Sequence, residues 1–255
     1  MNEPVLMPAS EPRIPNIDDT KNGILIVIFS FIFFFTIEKL LNFFIPKGAS
    51  SHKTWQFKNI LVSLVHSCIS SIWAFSSFVE SPEMAEDLIS VYTQFSHSLV
   101  SFSVGYFIHD VVHMLSNNKS RQSFELIGHH IVVCICFGVA IVFQKYVGYA
   151  VVALTVEWNS IFLHIRQIMH ILAVPRSGTV YRINSLITLV TFVAFRITTL
   201  SWMTRWIVIN RDLLPFVMYT IGSAGLAIIT VMNIVLFYRL LNTDFLSRRK
   251  EIKKN

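Results

Sequence analysis

The chain has 255 residues, 53% of them apolar and only 14% charged, with a net charge of +6. Soluble globular domains average about 25% charged residues, so this composition and a mean hydropathy of +0.58 exclude an ordinary soluble protein. With 22 Phe against 9 Gly, a disordered or collagen-like chain is excluded too.

In chain order, residues 1–22 come first, mixing Glu3, Glu11, Asp18 and Asp19 with Arg13, Lys21 and four prolines. A signal peptide needs a basic start followed at once by an apolar core, so a short disordered N-terminal tail is expected instead. A first anchor helix is expected over Gly23–Ile45, its Phe29–Phe35 segment facing lipid, with a loop to residue 54. Further spans are expected over Asn59–Val79, Leu88–Ile108, Ile127–Gln144, Val147–Leu172, Ile183–Ile209 and Leu213–Tyr238. Each approaches or exceeds the ~20 residues that cross a ~30 Å hydrocarbon layer. The fold class is therefore an all-α multi-pass membrane protein of about seven transmembrane helices, most of them ringed around a polar-lined interior.

Lys and Arg accumulate in cytoplasmic loops. Seven alternating spans put Lys47, Lys53, Lys58, Lys119, Arg121, Arg176, Arg182, Arg239 and the five bases of Arg248–Lys254 on one side, 13 of 21. Four fall on the other: Arg13, Lys21, Lys145 and Arg211. The expectation is an N-terminus outside and a C-terminus in the cytosol, which leaves the Asn118-Lys119-Ser120 sequon unused. The basic tail, residues 246–255, is then placed against anionic inner-leaflet lipids. No nucleic-acid role is supported. Cys68, Cys134 and Cys136 lie within spans without CxxC spacing and read as packing residues.

Ionisable groups inside a bilayer are costly and point to function. His109 and His113, four apart on one helix face, lie near the cytoplasmic end of the third span, with Asp110 about 100° around. His129 and His130 open the fourth span at the same end. Glu157, Ser160 and His164 share a stripe on the fifth, and Arg196 sits mid-way along the sixth. His66 and His97 read as packing residues. His109, Asp110, His129, His130 and Glu157 are the candidate catalytic residues, since a carboxylate beside a histidine orients it as a general base. His113, Ser160, His164 and Arg196 are candidates for substrate binding, with His109 and His113 the nearest partners of Asp110 and with Glu157 the expected partner of Arg196, directly or through one intervening polar group. Repeated histidine boxes are missing, so no metal and no other cofactor is expected.

Gly105-Tyr106-Phe107-Ile108-His109-Asp110, followed by His129-His130 opening the next helix, resembles the TLC domain family, which includes the ceramide synthases. The likeness runs over residues 55–245 and is greatest to the subgroup of TLC domain-containing proteins 1 and 2. The segments Lys58–Ser67, Val156–Arg166, Tyr181–Asn184 and Arg239–Phe245 carry that likeness. Ceramide synthases pair two histidines with two aspartates on the next helix. Here the corresponding positions hold His129-His130, Glu157 and Ser160, so one carboxylate is lengthened and one lost, which argues against ceramide synthesis. The resemblance instead implies a regulator of phospholipid acyl composition and fluidity, limiting polyunsaturated phospholipids at the plasma membrane. The endoplasmic reticulum is the alternative location, although Lys253-Lys254-Asn255 misses dilysine retrieval spacing. The alternatives in activity are a lipid acyltransferase related to the ceramide synthases and a non-catalytic lipid-binding or partner-regulating protein. Partners implied are membrane lipids and acyl-CoA.

Overall fold

The computed structural model describes residues 14–44, 51–117 and 120–246. The basic tail beyond residue 246, most of the expected N-terminal tail, Lys47 and the first two sequon residues lie outside them. Among the described residues the regular structure is entirely helical: α1 (Ile17–Phe44), α2 (Ser51–Glu80), α3 (Gln94–Asn117), α4 (Arg121–Phe143), α5 (Val147–Leu154), α6 (Glu157–Ile171), α7 (Thr179–Thr191), α8 (Thr198–Ile209) and α9 (Phe216–Leu241). Six stretches, Ile17–Phe43, Lys53–Glu80, Gln94–Asn117, Ser123–Phe143, Thr179–Ile209 and Phe216–Asp244, are long and apolar enough to cross a bilayer. The seventh expected span is present as α5 and α6, joined by a tightened turn in which Trp158 N–H donates to Thr155 O and Asn159 N–H to Val156 O.

Boundaries depart from the sequence expectation where polar side chains act on the backbone. The first helix starts at Ile17, six residues before Gly23. Asn16 and Thr20 are tied to the α4–α5 corner by Gln144, whose Nε2 donates to Asn16 O at 2.6 Å and to Thr20 Oγ1 at 3.1 Å. Gln144 is fully buried and holds a left-handed φ of 51°; these bonds anchor a conformation that ordinarily favours glycine. The third helix starts at Gln94, not Leu88, because Asp87 Oδ1 accepts the N–H groups of Ile89 and Ser90, both at 2.9 Å, and turns the chain. Leu88 is buried all the same, in that turn, against Gly148.

The sixth span is continuous from Thr179 to Ile209 but wound as a π-helix over Phe192–Ile197. The chain ends alternate between the two ends of the bundle. Asn16, Ile89, Gln144 and Tyr146 meet at one, where Tyr146 N–H donates to Ile89 O at 2.8 Å. At the other, Lys58 reaches Asn42, Arg239 reaches Glu125, and Arg166 and Tyr181 reach Asp244.

α3 is the centre of the bundle. It is the least hydropathic of the six spans and the most buried, whereas α1 and α9 are the most exposed. A soluble protein puts its polar helices outside; lipid reverses this, since polar side chains find partners only among neighbouring helices. α1 lies close against α3 at Gly105, where a Cβ would meet Val27 O and lie 2.6 Å from Ser30 Cβ; Ser30 Oγ donates to Phe102 O at 2.6 Å. In the Phe-rich segment of α1, Phe29 and Phe35 are exposed as expected, whereas Phe34 is fully buried against Phe102 and Tyr106.

Candidate functional site

Two neighbours on α4 point to different chambers, because consecutive helical residues diverge by about 100°. His130 turns to α3, where its Nδ1 lies 3.1 Å from Asp110 Oδ2, short but off the hydrogen-bond axis. His129 lines a cavity walled by α4, α5, α8 and α9.

Around Asp110 and His130 lies a buried polar cluster drawn from α2, α3, α4 and α6. His66 stacks on Tyr106 with ring centroids 3.9 Å apart and planes 10° apart, and its Nε2 is buried without a hydrogen-bond partner. Ser67 Oγ donates to Glu157 Oε2 at 2.6 Å. His66, His164 and Arg196 are within electrostatic range of Glu157, and His164 Nδ1 is also buried without a partner. The Glu157 carboxylate occupies the first turn of α6, where the helix dipole favours negative charge. His66 therefore belongs to a polar cluster as well as to packing, whereas His97 packs as expected, its Nε2 3.2 Å from Ile141 O.

The expected pairing of Asp110 with His109 and His113 is corrected. Both histidines face α1, where Glu38 is nearly buried: His109 Nε2 lies 3.3 Å from Oε2 and His113 Nε2 3.5 Å from Oε1. Trp55 Nε1 donates to His113 Nε2 at 3.1 Å, and His113 Nδ1 is 2.8 Å from Asn59 Oδ1. This fits a ring carrying its proton on Nδ1. The five expected catalytic residues therefore divide. His109 sits with His113 in an α1–α2–α3 cluster; Asp110, His130 and Glu157 sit in the central one; His129 faces the cavity. Glu38 was missed because Lys39 follows it and the pair reads as a helix end at the membrane surface. Ser67 carried no signal beyond being a serine in a span.

Arg196 faces the interior as expected, but no ion pair joins it to Glu157 among the described residues. Its Nε donates to Asn159 Oδ1 at 2.8 Å, one terminal nitrogen to Asn233 Oδ1 at 2.8 Å and the other to Ser160 Oγ at 2.7 Å. Phe192 packs on its face, 5.7 Å from ring centroid to guanidinium carbon. Ser160 is thus an acceptor for Arg196. The neutral acceptors come from α6 and α9, and the π-wound segment carries the arginine toward them.

The cavity has a volume of about 160 Å³ and opens to the outside. His129, Glu157, Arg196 and Asn233 line one end, and the rest is apolar, running past Ala153 and Leu226 to Trp206 and Met218. From Met218 to Asn233 along α9 is about 22 Å at 1.5 Å per residue, more than the ~15 Å hydrocarbon depth of one leaflet. Among the described residues no group of three or more His, Cys, Asp or Glu is arranged to hold a metal ion.

A bundle of membrane-crossing helices around a polar cluster and an amphipathic cavity defines the class: a multi-pass membrane protein with a polar-ended cavity between its helices. The TLC domain profile matches residues 56–242. TLC domain-containing protein 2 of Danio rerio is 50% identical over 239 residues, covering 91% of this chain and 96% of that protein. TLC domain-containing protein 2 of Homo sapiens is 33% identical, covering 80% of this chain and 76% of that protein. The human TLC domain-containing protein 1 is 34% identical, covering 76% and 77%. The chain belongs to the TLC domain family, and so is related to membrane lipid-handling proteins.

Proposed function

We propose that the protein regulates the acyl composition of membrane phospholipids, favouring a less fluid bilayer by restraining the incorporation of polyunsaturated chains, and that it acts at the plasma membrane. The observation that carries this reading is the cavity: a polar end, lined by His129, Glu157, Arg196 and Asn233, joined to an apolar run of acyl-chain length. The similarity to TLC domain-containing proteins 1 and 2 supports it. Membrane lipids are the partners that such a chamber fits, and the bases of Arg248–Lys254 suit an anionic leaflet.

A second reading, acyl transfer from a donor such as acyl-CoA, is favoured by the Asp110–His130 contact of 3.1 Å, since a carboxylate-oriented imidazole can take a proton from an attacking hydroxyl or amine. Ceramide synthesis is not favoured, because Ser160 stands where a second carboxylate is needed and is engaged by Arg196. The deciding experiment is phospholipid acyl profiling of cells lacking the protein, rescued by wild type or by His130→Gln. Wild type should lower the polyunsaturated fraction; no change on loss or rescue overturns the proposal. An enzyme loses rescue by His130→Gln at unchanged abundance, whereas a binding protein keeps it.

A further inference from the structure

Glu38, His109 and His113 meet where α1, α2 and α3 converge, near the Lys58–Asn42 contact at the Asp244 end. Ionisable groups inside spans are costly and point to function. Docking does not explain these three, because α1 already packs on α3 through Gly105 and the Ser30–Phe102 bond.

The partners fix where the protons sit. His113 Nδ1–H donates to Asn59 Oδ1 at 2.8 Å, so Nε2 holds the lone pair that accepts from Trp55 Nε1–H at 3.1 Å. The same Nε2 lies 3.5 Å from Glu38 Oε1, so two lone pairs face each other. His109 Nε2 lies 3.3 Å from Glu38 Oε2 and can donate to it, while its Nδ1 is buried without an acceptor among the described residues. A proton added to His109 would find no acceptor; one added to His113 Nε2 finds Glu38 Oε1. The charges facing His113 are Glu38 from α1, Lys58 from α2, and His109 and Asp110 from α3. Lys58 donates to Asn42 Oδ1 at 2.6 Å. Lys39 Nζ lies 3.7 Å from Glu38 Oε1 with its side chain 55% exposed, which puts the carboxylate one side chain from water.

We propose that this corner is a proton-binding site: His113 Nε2 takes up a proton, exchanges the Trp55 contact for an ion pair with Glu38, and loosens the hold of α2 on α3. Nδ1 keeps its bond to Asn59, so Asn59 is the pivot. The site stands apart from the lipid-handling reading, and acyl profiling does not bear on it.

Purified full-length protein in nanodiscs tests this. The Trp55 emission, taken as the difference between wild type and Trp55→Phe, should titrate in one step between about pH 8 and about pH 5, the interval in which histidine ordinarily changes charge. The indole and imidazole centroids are 5.7 Å apart, so the indole reports the exchange directly. His113→Gln should abolish the step and His109→Gln should keep it. Glu38→Gln should move it to lower pH by about one unit or more, because the new proton loses its counter-charge. No step in wild type, a step that persists in His113→Gln, or one unmoved in monodisperse Glu38→Gln protein overturns the site. Should those variants not fold, hydrogen exchange of the wild type decides. Amides of residues 51–58 should lose protection on acidification beyond the intrinsic change in rate, while those at the start of α3 do not. Equal protection at both pH values overturns the exchange.

Discussion

Asp244 accepts four hydrogen bonds: from Arg166 Nε and Ser185 Oγ at 2.6 and 3.0 Å on one oxygen, and from an Arg166 terminal nitrogen and Tyr181 OH at 2.6 and 3.0 Å on the other. Its side chain is 2% exposed, whereas the partners in the Arg239–Glu125 pair are 45% and 35% exposed. Removing one partner of a buried pair strands the other charge at a cost of about 3 kcal/mol, and an exposed pair is worth roughly 0–1 kcal/mol. Asp244→Asn should therefore lower the thermal stability of the purified protein strongly, and Glu125→Gln hardly at all. Size-exclusion profiles after graded heating measure both, and equal shifts refute the ranking. Ala173 is a smaller case. It closes α6 with a φ of 54°, with Val174 N–H donating to Met169 O at 2.9 Å, so Ala173→Gly should stabilise by about 0.5–1 kcal/mol in the same assay.

Between elements, contact distance decides which glycines matter. A Cβ at Gly105 would lie 2.6 Å from Ser30 Cβ, with Val27 O closer still, while one at Gly128 meets nothing within 4 Å. Gly105→Leu should push α1 off α3 and separate Glu38 from His109 and His113, losing folded protein, whereas Gly128→Ala should be neutral or better by up to about 1 kcal/mol. Yields of monodisperse protein distinguish the two. The spans were legible because uncharged runs of membrane length have few other readings, and the shared face of His109 and His113 was legible from their i, i+4 spacing. The partner of that face was not, because helix-to-helix pairing leaves no local period: Glu38 lies 71 residues from His109. The break at Thr155 and Val156 and the π-winding at Phe192–Ile197 were also invisible, since neither has a proline or glycine to mark it. Both bear on the site. The first ends at Glu157, the second carries Arg196, and together they form the polar end of the cavity.

Over the whole molecule, polarity is ordered from inside to out and from end to end. Of the six long spans the central one is the least hydropathic, and the large exposed side chains of α1 and α9, such as Phe29, Ile32, Val231 and Ile234, are apolar, as lipid contact requires. The alternation of chain ends puts the α2–α3 loop, the α4–α5 corner and the start of α1 together, away from the α3–α4 connection and the ends of α6 and α9. This geometry makes sidedness a single choice, because fixing one loop fixes them all. Among the described residues, Lys53, Lys58, Arg121, Arg176, Arg182 and Arg239 fall at the Asp244 end in that arrangement, against Lys21, Lys145 and Arg211 at the Gln144 end, and cytoplasmic loops are the basic ones. The expected outcome is an Asp244 end in the cytosol. A sequon carried on a flexible insert between Glu83 and Asp87 should then be glycosylated when the protein is made in membranes, while the native Asn118-Lys119-Ser120 stays unmodified. A cysteine at position 121 should react with a thiol reagent only after the cytosolic face is opened. Modification of Asn118 with no modification of the insert reverses the orientation.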